Sequence, residues 1–293
     1  MSAPRAYGFV GLGKMGGPMA ANLARSGADL VVFDSAGSAA RAPDGARIAG
    51  SVAEVAAASE TIFLSLPDGP AVLEVLGEVV AAADRVTRTV IDLSTVGIDA
   101  AHAAFERAGG GGLAYVDAPV SGGRSGAVAG TITVMWAGPA ELLELHRDAL
   151  DVMSKNVFHV GTQAGQGQAL KLLNNFLSAT ATAATAEALL FGLTQGLELK
   201  TMLDVVNVST GRSHASADKY VNRVLTGTFD SGFATSLMAK DVRLFVEAAA
   251  AAGSPNDLGT TVRALWDAME ADAPDGDHTE VYTFLRDSKG HDR

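Results

Sequence analysis

The 293-residue sequence contains no cysteine, which excludes disulfides, a cysteine nucleophile and cysteine-ligated zinc or iron–sulfur centres. Basic residues are outnumbered, with 22 Lys and Arg against 33 Asp and Glu, and the formal net charge is −11. Because phosphate backbones and anionic lipids are bound by basic patches, we expect neither nucleic acid nor a membrane as a partner. The absence of cysteine also suits a reducing compartment, and the predicted location is the cytoplasm.

Metal-ligand patterns are missing as well. The six histidines are scattered along the chain, and none stands at the spacing of a metal-binding pair. We therefore predict no metal site. His214, in the segment GRSHAS, is the one histidine that can approach a substrate pocket, because loops of a helical domain often border a cleft.

Strands alternate with helices in the first half of the chain. Apolar runs such as ADLVVFD (28–34) and TIFLSLP (61–67) are typical of buried strands, and helical patterns separate them. This alternation predicts an α/β fold over residues 1–163, with a Rossmann-type doubly wound parallel sheet. The strand pattern then disappears, and residues 164–293 are predicted to form an all-α domain that carries the substrate cleft and the oligomer contacts.

The segment Gly165–Leu197 predicts one long helix that connects the two domains. Its only charged residues are Lys171 and Glu187, so most of its length is expected to be buried. A polar stripe with i, i+3, i+4, i+7 spacing lies on it: Lys171, Asn174, Asn175 and Ser178. We interpret the stripe as one wall of an active site between the domains, with Lys171 as the acid/base.

Two alternatives to this interpretation are open. Lys171 falls within the first two turns of the helix, where a lysine can extend to solvent. The whole segment is also long and apolar enough to be weighed as a membrane span, but its asparagines, threonines and glutamate favour a helix of a soluble protein.

The first motif is a glycine-rich sequence that follows a strand and opens a helix: Gly11-Leu12-Gly13-Lys14-Met15-Gly16. In this pattern the first glycine permits a tight turn, the second lets the backbone approach a pyrophosphate, and the third lets helix and strand pack closely. The pyrophosphate is expected at the helix N-terminus, where free N–H groups favour an anion. A tight strand–helix turn without a ligand is the alternative.

Asp34 ends the second predicted strand, 34 − 16 = 18 residues after the last glycine of the motif. A carboxylate near that position accepts hydrogen bonds from the adenosine ribose and repels a 2′-phosphate. No arginine follows it directly, and Arg41 is the nearest. We therefore predict NAD as the cofactor and NADP as the less favoured one, unless Asp34 only caps a loop.

The second motif is DAPVSGGRSGA (117–127), which follows another predicted strand. Ser121, Gly122 and Gly123 can present a hydroxyl and consecutive N–H groups to a substrate carboxylate. A glycine-rich turn capped by Ser121 is the alternative. Arg124, beside this loop, is either a further anion contact or a solvated side chain.

Four segments, in order along nearly the whole chain, resemble the motifs of the β-hydroxyacid dehydrogenases of the 3-hydroxyisobutyrate dehydrogenase type. They are GFVGLGKMGGPMAANL (8–23), DAPVSGGRSGAVAGT (117–131), GQGQALKLLNN (165–175) and KDVRL (240–244). The resemblance implies that Lys171 is the catalytic lysine, that Asn175 orients it or the substrate, and that Lys240 lies near cofactor and active site.

The same resemblance implies further positions. Leu66-Pro67 and Ser94-Thr95 resemble the family's cofactor-contacting loops, with Thr95 near the nicotinamide ribose. It also implies substrate contacts at Ser121, Gly122, Gly123, Lys171 and Asn175. Phe233 fits a position near the substrate only loosely.

These observations predict hydride transfer between NAD and a small β-hydroxy acid, or the corresponding semialdehyde in the reverse direction. Alternatives within the same fold are a tartronate semialdehyde or other short semialdehyde reductase and an imine reductase, which usually replaces the lysine. A non-catalytic dinucleotide-binding scaffold is the alternative of another class. The small residues of the long helix indicate a homodimer or homotetramer.

Overall fold

The computed structural model describes residues 6–288, which divide into two compact units, residues 6–171 and 172–288. The strands of the first unit are β1 (Ala6–Val10), β2 (Asp29–Phe33), β3 (Arg47–Ile48), β4 (Thr61–Leu64), β5 (Thr89–Asp92), β6 (Ala114–Asp117), β7 (Val120–Ser121), β8 (Ile132–Ala137) and β9 (Ser154–Gly161). Its helices are α1 (Gly16–Arg25), α2 (Val52–Ala58), α3 (Gly69–Ala81), α4 (Ile98–Gly110), α5 (Gly123–Ala129), α6 (Ala140–Leu145) and α7 (Arg147–Asp151).

The sheet of the first unit has the order β3-β2-β1-β4-β5-β6-β8-β7, with β9 beside β8. Pairing is parallel from β3 through β6, as the fully buried apolar runs predict, and the Rossmann-type fold is confirmed. One feature departs from the predicted all-parallel sheet, since β8 runs antiparallel to both β6 and β7. β6 and β7 run in the same direction, and the chain reverses through α5 before it enters β8.

Two apolar cores cover the two faces of this sheet. One contains Phe9, Met19 and Trp136, and the other contains Val55, Leu64 and Leu76.

Side chains cap the first turns of two helices of this unit. Ser51 accepts the backbone N–H of Glu54 at the start of α2, and Asp68 accepts that of Ala71 at the start of α3.

In the described residues of the second unit the regular elements are helices, and one isolated β-bridge joins Ala234 to Asp277. It contains most of α8 (Gln166–Thr194), followed by α9 (Leu199–Asn207), α10 (Thr235–Ala251), α11 (Asp257–Asp272) and α12 (Val281–Ser288). A π-helical segment occupies Ala215–Val224, and a short 3₁₀ turn spans His278–Glu280. Its core gathers Tyr220, Met238 and Trp266.

The helix α8 is less buried than predicted. Only 39% of its most apolar stretch is buried, and Leu173, Leu177 and Phe191 are exposed. Among the described helices it is the one long and apolar enough to cross a membrane by length and composition alone. The expectation of burial along most of the helix is therefore wrong, because small residues such as Ala179 and Ala186 make the buried face narrow.

The predicted division between residues 163 and 164 stays a prediction. Inside the first unit, the residues between β8 and β9 form two short helices, α6 and α7, which meet at His146.

Candidate active site

The glycine motif forms the turn between β1 and α1. Gly11 has φ = +93°, and a Cβ there would collide with the carbonyl oxygen of Ser65 at the end of β4. A Cβ on Gly16 would collide with the carbonyl oxygen of Gly11, so both positions require glycine. A Cβ on Gly13 would meet nothing within 4 Å, so its backbone is open to a ligand. Because α1 begins at Gly16, this turn suits a dinucleotide pyrophosphate.

Leu12, Lys14 and Met15 complete this turn with different exposures. Leu12 is buried, Met15 is half-buried, and Lys14 is exposed. The side chain of Leu12 therefore packs in the core, and its backbone N–H bonds to Asp34.

Asp34 follows β2 directly and is buried. Its Oδ2 accepts the N–H of Leu12 at 2.7 Å and its Oδ1 accepts that of Ala36 at 2.8 Å. Arg41 Nη1 lies 3.2 Å from both carboxylate oxygens. Burial alone raises the pKa of Asp34, but these N–H groups and the arginine outweigh it, and the pKa lies below 3.8. The carboxylate thus stays charged where a ribose is expected.

Two further loops meet at the same edge of the sheet. The N–H of Leu66 donates to Ser94 Oγ at 2.8 Å, which joins the loops that follow β4 and β5. Pro67 is exposed and Thr95 is half-buried. Parallel pairing of Leu64 with Asp92 explains this meeting, because the carboxyl ends of neighbouring parallel strands share one edge.

The substrate loop begins at the same edge. Ser121 is half-buried at the end of β7, and Gly122 and Gly123 are exposed with φ of +129° and +63°. These positive angles hold the loop in a conformation that residues with side chains rarely adopt, and they leave its backbone open. Arg124 is exposed, which agrees with a solvated side chain.

Gln168 is a buried residue that the sequence reasoning missed. Its Oε1 accepts the N–H groups of Val96 and Gly97 at 2.9 and 3.2 Å, and its Nε2 donates to the Ser94 carbonyl at 3.0 Å. Toward β6, its Nε2 and its backbone N–H donate to Asp117 at 2.7 and 3.0 Å. One amide therefore fixes the Ser94–Gly97 loop and Asp117 to the first turn of α8. Its position three residues before Lys171 is the only sequence signal that indicates a place near the candidate site.

The carboxylate of Asp117 accepts a third hydrogen bond, from the backbone N–H of Gly165 at 3.0 Å. Burial raises the pKa of Asp117 to about 6 against these hydrogen bonds, and the nearby Asp92 adds to the rise. Asp92 is itself fully buried, which raises its pKa although Ser94 and Tyr115 donate to it. The hydrogen bonds of Asp92, Asp117 and Gln168 thus hold the loops of the candidate site in place.

Lys171 ends the first unit and is 8% exposed. The helix α8 runs without interruption through this region, so Lys171, Asn174, Asn175 and Ser178 occupy one face of it. Asn175 is buried, and its Nδ2 donates to Asp241 Oδ2 at 2.5 Å. The stripe predicted from the spacing is therefore one face of a continuous helix.

Lys240 and Asp241 lie on α10, in the second unit. Lys240 Nζ is 3.4 Å from Asp241 Oδ1, while Oδ2 accepts from Asn175. This buried carboxylate links the KDVRL segment to the asparagine that follows Lys171 by one helical turn. Asp241 is buried and Lys240 is half-buried, so the two do not form a solvated surface pair.

His214 and Phe233 differ in their surroundings. His214 is exposed and lines a surface cavity with Arg212, Ser213, Ala217 and Asp218. Phe233 is half-buried, and its ring packs edge-on against His278 at 5.7 Å between centroids. A role of either in substrate binding stays a prediction.

Lys219 is a second buried lysine that the sequence reasoning missed. It lies within the π-helical segment, is 9% exposed, and its Nζ donates to Ser178 Oγ at 2.9 Å and to Thr182 Oγ1 at 3.2 Å. Beside Asp218 it resembles an exposed charged pair, so no sequence signal indicated its burial. Burial lowers the pKa of Lys219 to about 8, against the attraction of Asp277 and Asp218.

Comparisons with known proteins agree with this arrangement. Residues 6–161 match the NAD-binding domain of 6-phosphogluconate dehydrogenase, and residues 165–285 match the family described as NAD-binding of NADP-dependent 3-hydroxyisobutyrate dehydrogenase. The chain is 40% identical over 246 residues to 2-(hydroxymethyl)glutarate dehydrogenase of Eubacterium barkeri, covering 82% of this chain and 81% of that protein. It is 36% identical over 269 residues to NAD-dependent L-serine dehydrogenase of Pseudomonas aeruginosa, covering 88% and 90%.

A solved structure shows the same likeness in three dimensions. Mycobacterium tuberculosis 3-hydroxyisobutyrate dehydrogenase with L-serine superposes with a TM-score of 0.88 at 33% identity. The match covers 97% of this chain and 100% of that chain.

Proposed function

We propose, from the premise that this chain belongs to the β-hydroxyacid dehydrogenase family, that it oxidises the hydroxymethyl group of a small 2-substituted 3-hydroxy acid with NAD. Family membership makes the chain an NAD(P)-dependent dehydrogenase of hydroxy acids. The buried Lys171, one helical turn before the buried Asn175, is the observation that carries the proposed chemistry.

The substrate class follows from what the relatives act on. 3-Hydroxyisobutyrate, L-serine and 2-(hydroxymethyl)glutarate all have the form HOCH₂–CH(R)–COO⁻ and differ only in R. A site that binds this common half must hold a carboxylate and a primary hydroxyl. The Ser121 hydroxyl and the exposed backbone at Gly122 and Gly123 supply donors for the carboxylate.

Bound NAD supplies the acceptor for the hydride that leaves the hydroxyl-bearing carbon. Lys171, uncharged before the step, takes the hydroxyl proton, so the products are the semialdehyde, NADH and a proton held at Lys171 Nζ. In the reverse direction, protonated Lys171 donates to the carbonyl oxygen. Asn175, fixed by Asp241, orients Lys171 or the substrate.

The decisive experiment replaces Lys171. We expect Lys171→Met to lower kcat by about 10²- to 10⁴-fold with each hydroxy acid, since this is the usual contribution of a positioned acid/base. The dissociation constant for NADH, measured by fluorescence titration, stays unchanged. Lys200→Met, at an exposed lysine of α9, is the matched control. A Lys171→Met enzyme within about threefold of the wild-type kcat would overturn the assignment.

Two other functions make different predictions in the same assay. An imine reductase reduces cyclic imines with NAD(P)H and has no turnover with the hydroxy acids, but such enzymes usually replace the lysine that this chain has. A scaffold binds NAD and turns over no hydroxy acid at all. The retained Lys171 and Ser121 loop support the dehydrogenase over both.

The proposal also covers cofactor preference, cellular location and oligomeric state. We propose that NAD is preferred to NADP because Asp34 is charged, that the protein acts in the cytoplasm, and that it forms a homodimer or homotetramer. The exposed Leu173, Leu177 and Phe191 on α8 support an interface between copies. That nucleic acid, membranes and metal ions are not partners stays a prediction from composition and spacing.

A further inference from the structure

The proposed chemistry leaves one buried charge without a role. Lys219 has an ammonium group with three N–H donors. Within residues 6–288, only two acceptors contact it, the hydroxyls of Ser178 and Thr182 on α8, and no carboxylate oxygen lies within ion-pair distance. A buried cation with neutral partners and a spare donor is poorly compensated.

The charged and titratable groups around Lys219 are engaged elsewhere. Asp277 attracts the ammonium without forming an ion pair with it. Its carboxylate accepts hydrogen bonds from Ser231, Gly232 and Thr279 instead. Asp218 is exposed and accepts from Asn222. His278 is buried, and both its burial and Lys219 lower its pKa to about 4, so it is neutral near pH 7. With a pKa of about 8, Lys219 itself is cationic there.

The position of this cation connects it to the candidate site. Ser178, which accepts from Lys219, lies one turn beyond Asn175 on the same face of α8, about 4.5 Å further along the helix axis. The lysine is held in place by a π-helical segment, a rare geometry that is frequent at functional sites. The ammonium therefore lies close to the helix face that carries the asparagine of the proposed reaction.

We propose that Lys219, with Ser178 and Thr182, binds an anionic R group of the substrate, so that the preferred substrate is a hydroxy acid with a second carboxylate. This inference rests on the proposed function and adds the identity of R. A carboxylate at the end of R accepts the spare N–H and neutralises the buried charge. A methyl group leaves the ammonium uncompensated, and the ammonium group of serine is repelled by it.

The test compares substrates that share the reacting half. For the wild type we expect a higher kcat/KM with 2-(hydroxymethyl)glutarate than with 3-hydroxyisobutyrate, and the lowest with L-serine. Lys219→Met keeps the length of the side chain and removes its charge. It is expected to lower kcat/KM for 2-(hydroxymethyl)glutarate by about 10- to 100-fold, mainly through KM, because a charge-assisted hydrogen bond is lost. The kcat/KM for 3-hydroxyisobutyrate stays the same or rises.

Other outcomes separate this inference from the proposed function. Equal loss with both substrates, or no loss with either, overturns the Lys219 site while the dehydrogenase stands. Lys200→Met is the control for a surface lysine, and thermal unfolding verifies that Lys219→Met is folded. If the wild type oxidises no hydroxy acid, the proposed function fails. The site is then decided by calorimetry with glutarate: binding to the wild type but not to Lys219→Met supports it, and equal binding or none overturns it.

Discussion

Asp34 is the residue at which we expect the choice between NAD and NADP to be decided. Its carboxylate contacts the glycine turn through Leu12 and carries an ion pair with Arg41, whose side chain is 41% exposed. The carboxylate favours NAD, whereas a guanidinium at the same place can receive a 2′-phosphate. The two side chains therefore have opposite effects on the same specificity.

We expect Asp34→Asn to lower kcat/KM for NAD by about tenfold, because the charged acceptor for the ribose is lost, and to raise it for NADP. The asparagine oxygen can still accept from Leu12, so the turn is preserved. Parallel kinetics with both cofactors measure the ratio. Arg41→Ala is the matched change, and adding it to Asp34→Asn should lower kcat/KM for NADP. If the ratio of kcat/KM for NAD to that for NADP is unchanged in both variants, the role of Asp34 is contradicted.

Asp117 is one residue through which we expect stability to depend on pH. Its folded-state pKa of about 6 lies above the ordinary 3.8, so the folded protein binds this proton more tightly than the unfolded chain. The contribution of Asp117 to stability therefore declines as the pH rises from about 4 through 6, with the sign opposite to that of a salt-bridged carboxylate.

Asp117→Asn removes this dependence. Between pH 5 and 7 we expect the free energy of unfolding of the wild type to fall by about 1 kcal/mol relative to that of the variant, from linkage with these two pKa values. Urea titrations at both pH values give the difference, in which groups common to both proteins cancel. Parallel pH profiles would mean that Asp117 is charged throughout this range.

At the scale of elements, the site is built from loops that are far apart in sequence and meet at one sheet edge. The parallel register places the ends of β1, β4, β5 and β6 side by side. Gln168 then joins the loop after β5 to the end of β6 and to the start of α8. The geometry of the loop that carries Thr95 depends on this one side chain.

Gln168→Leu removes four side-chain hydrogen bonds at nearly constant volume. We expect a loss of about 3 kcal/mol in unfolding free energy, because buried N–H and C=O groups lose their partners, and a fall in kcat larger than the rise in KM. Gln168→Glu keeps the acceptor for Val96 but places a carboxylate against Asp117, so its kcat should recover at low pH. Equal activity of both variants with the wild type would contradict a positioning role.

At the scale of the whole molecule, the exposed apolar face of α8 is the feature that a lone chain leaves unexplained. Leu177 is 59% and Phe191 67% exposed, on a helix with few charges. Burying this face against a second copy removes apolar surface from water.

We expect Leu177→Lys to weaken the oligomer, because it places a charge in the interface, and light scattering to show a shift toward the monomer mass. Val208→Lys, at an exposed position after α9, is the control and should keep the wild-type mass. A wild-type mass for Leu177→Lys would place the interface elsewhere.

Local sequence patterns determined much of the fold and of the candidate site. Apolar runs, glycine spacing and an acid after β2 specified the parallel sheet and its dinucleotide turn, because backbone sterics and side-chain period act within a few residues. The stripe from Lys171 to Ser178 followed from helix geometry alone. Tertiary structure decided the contacts of Gln168, the burial of Lys219 and Asp241, and the antiparallel direction of β8. These features depend on which segment, distant in sequence, packs against each residue. Neither hydrophobic periodicity nor secondary-structure propensity encodes that information.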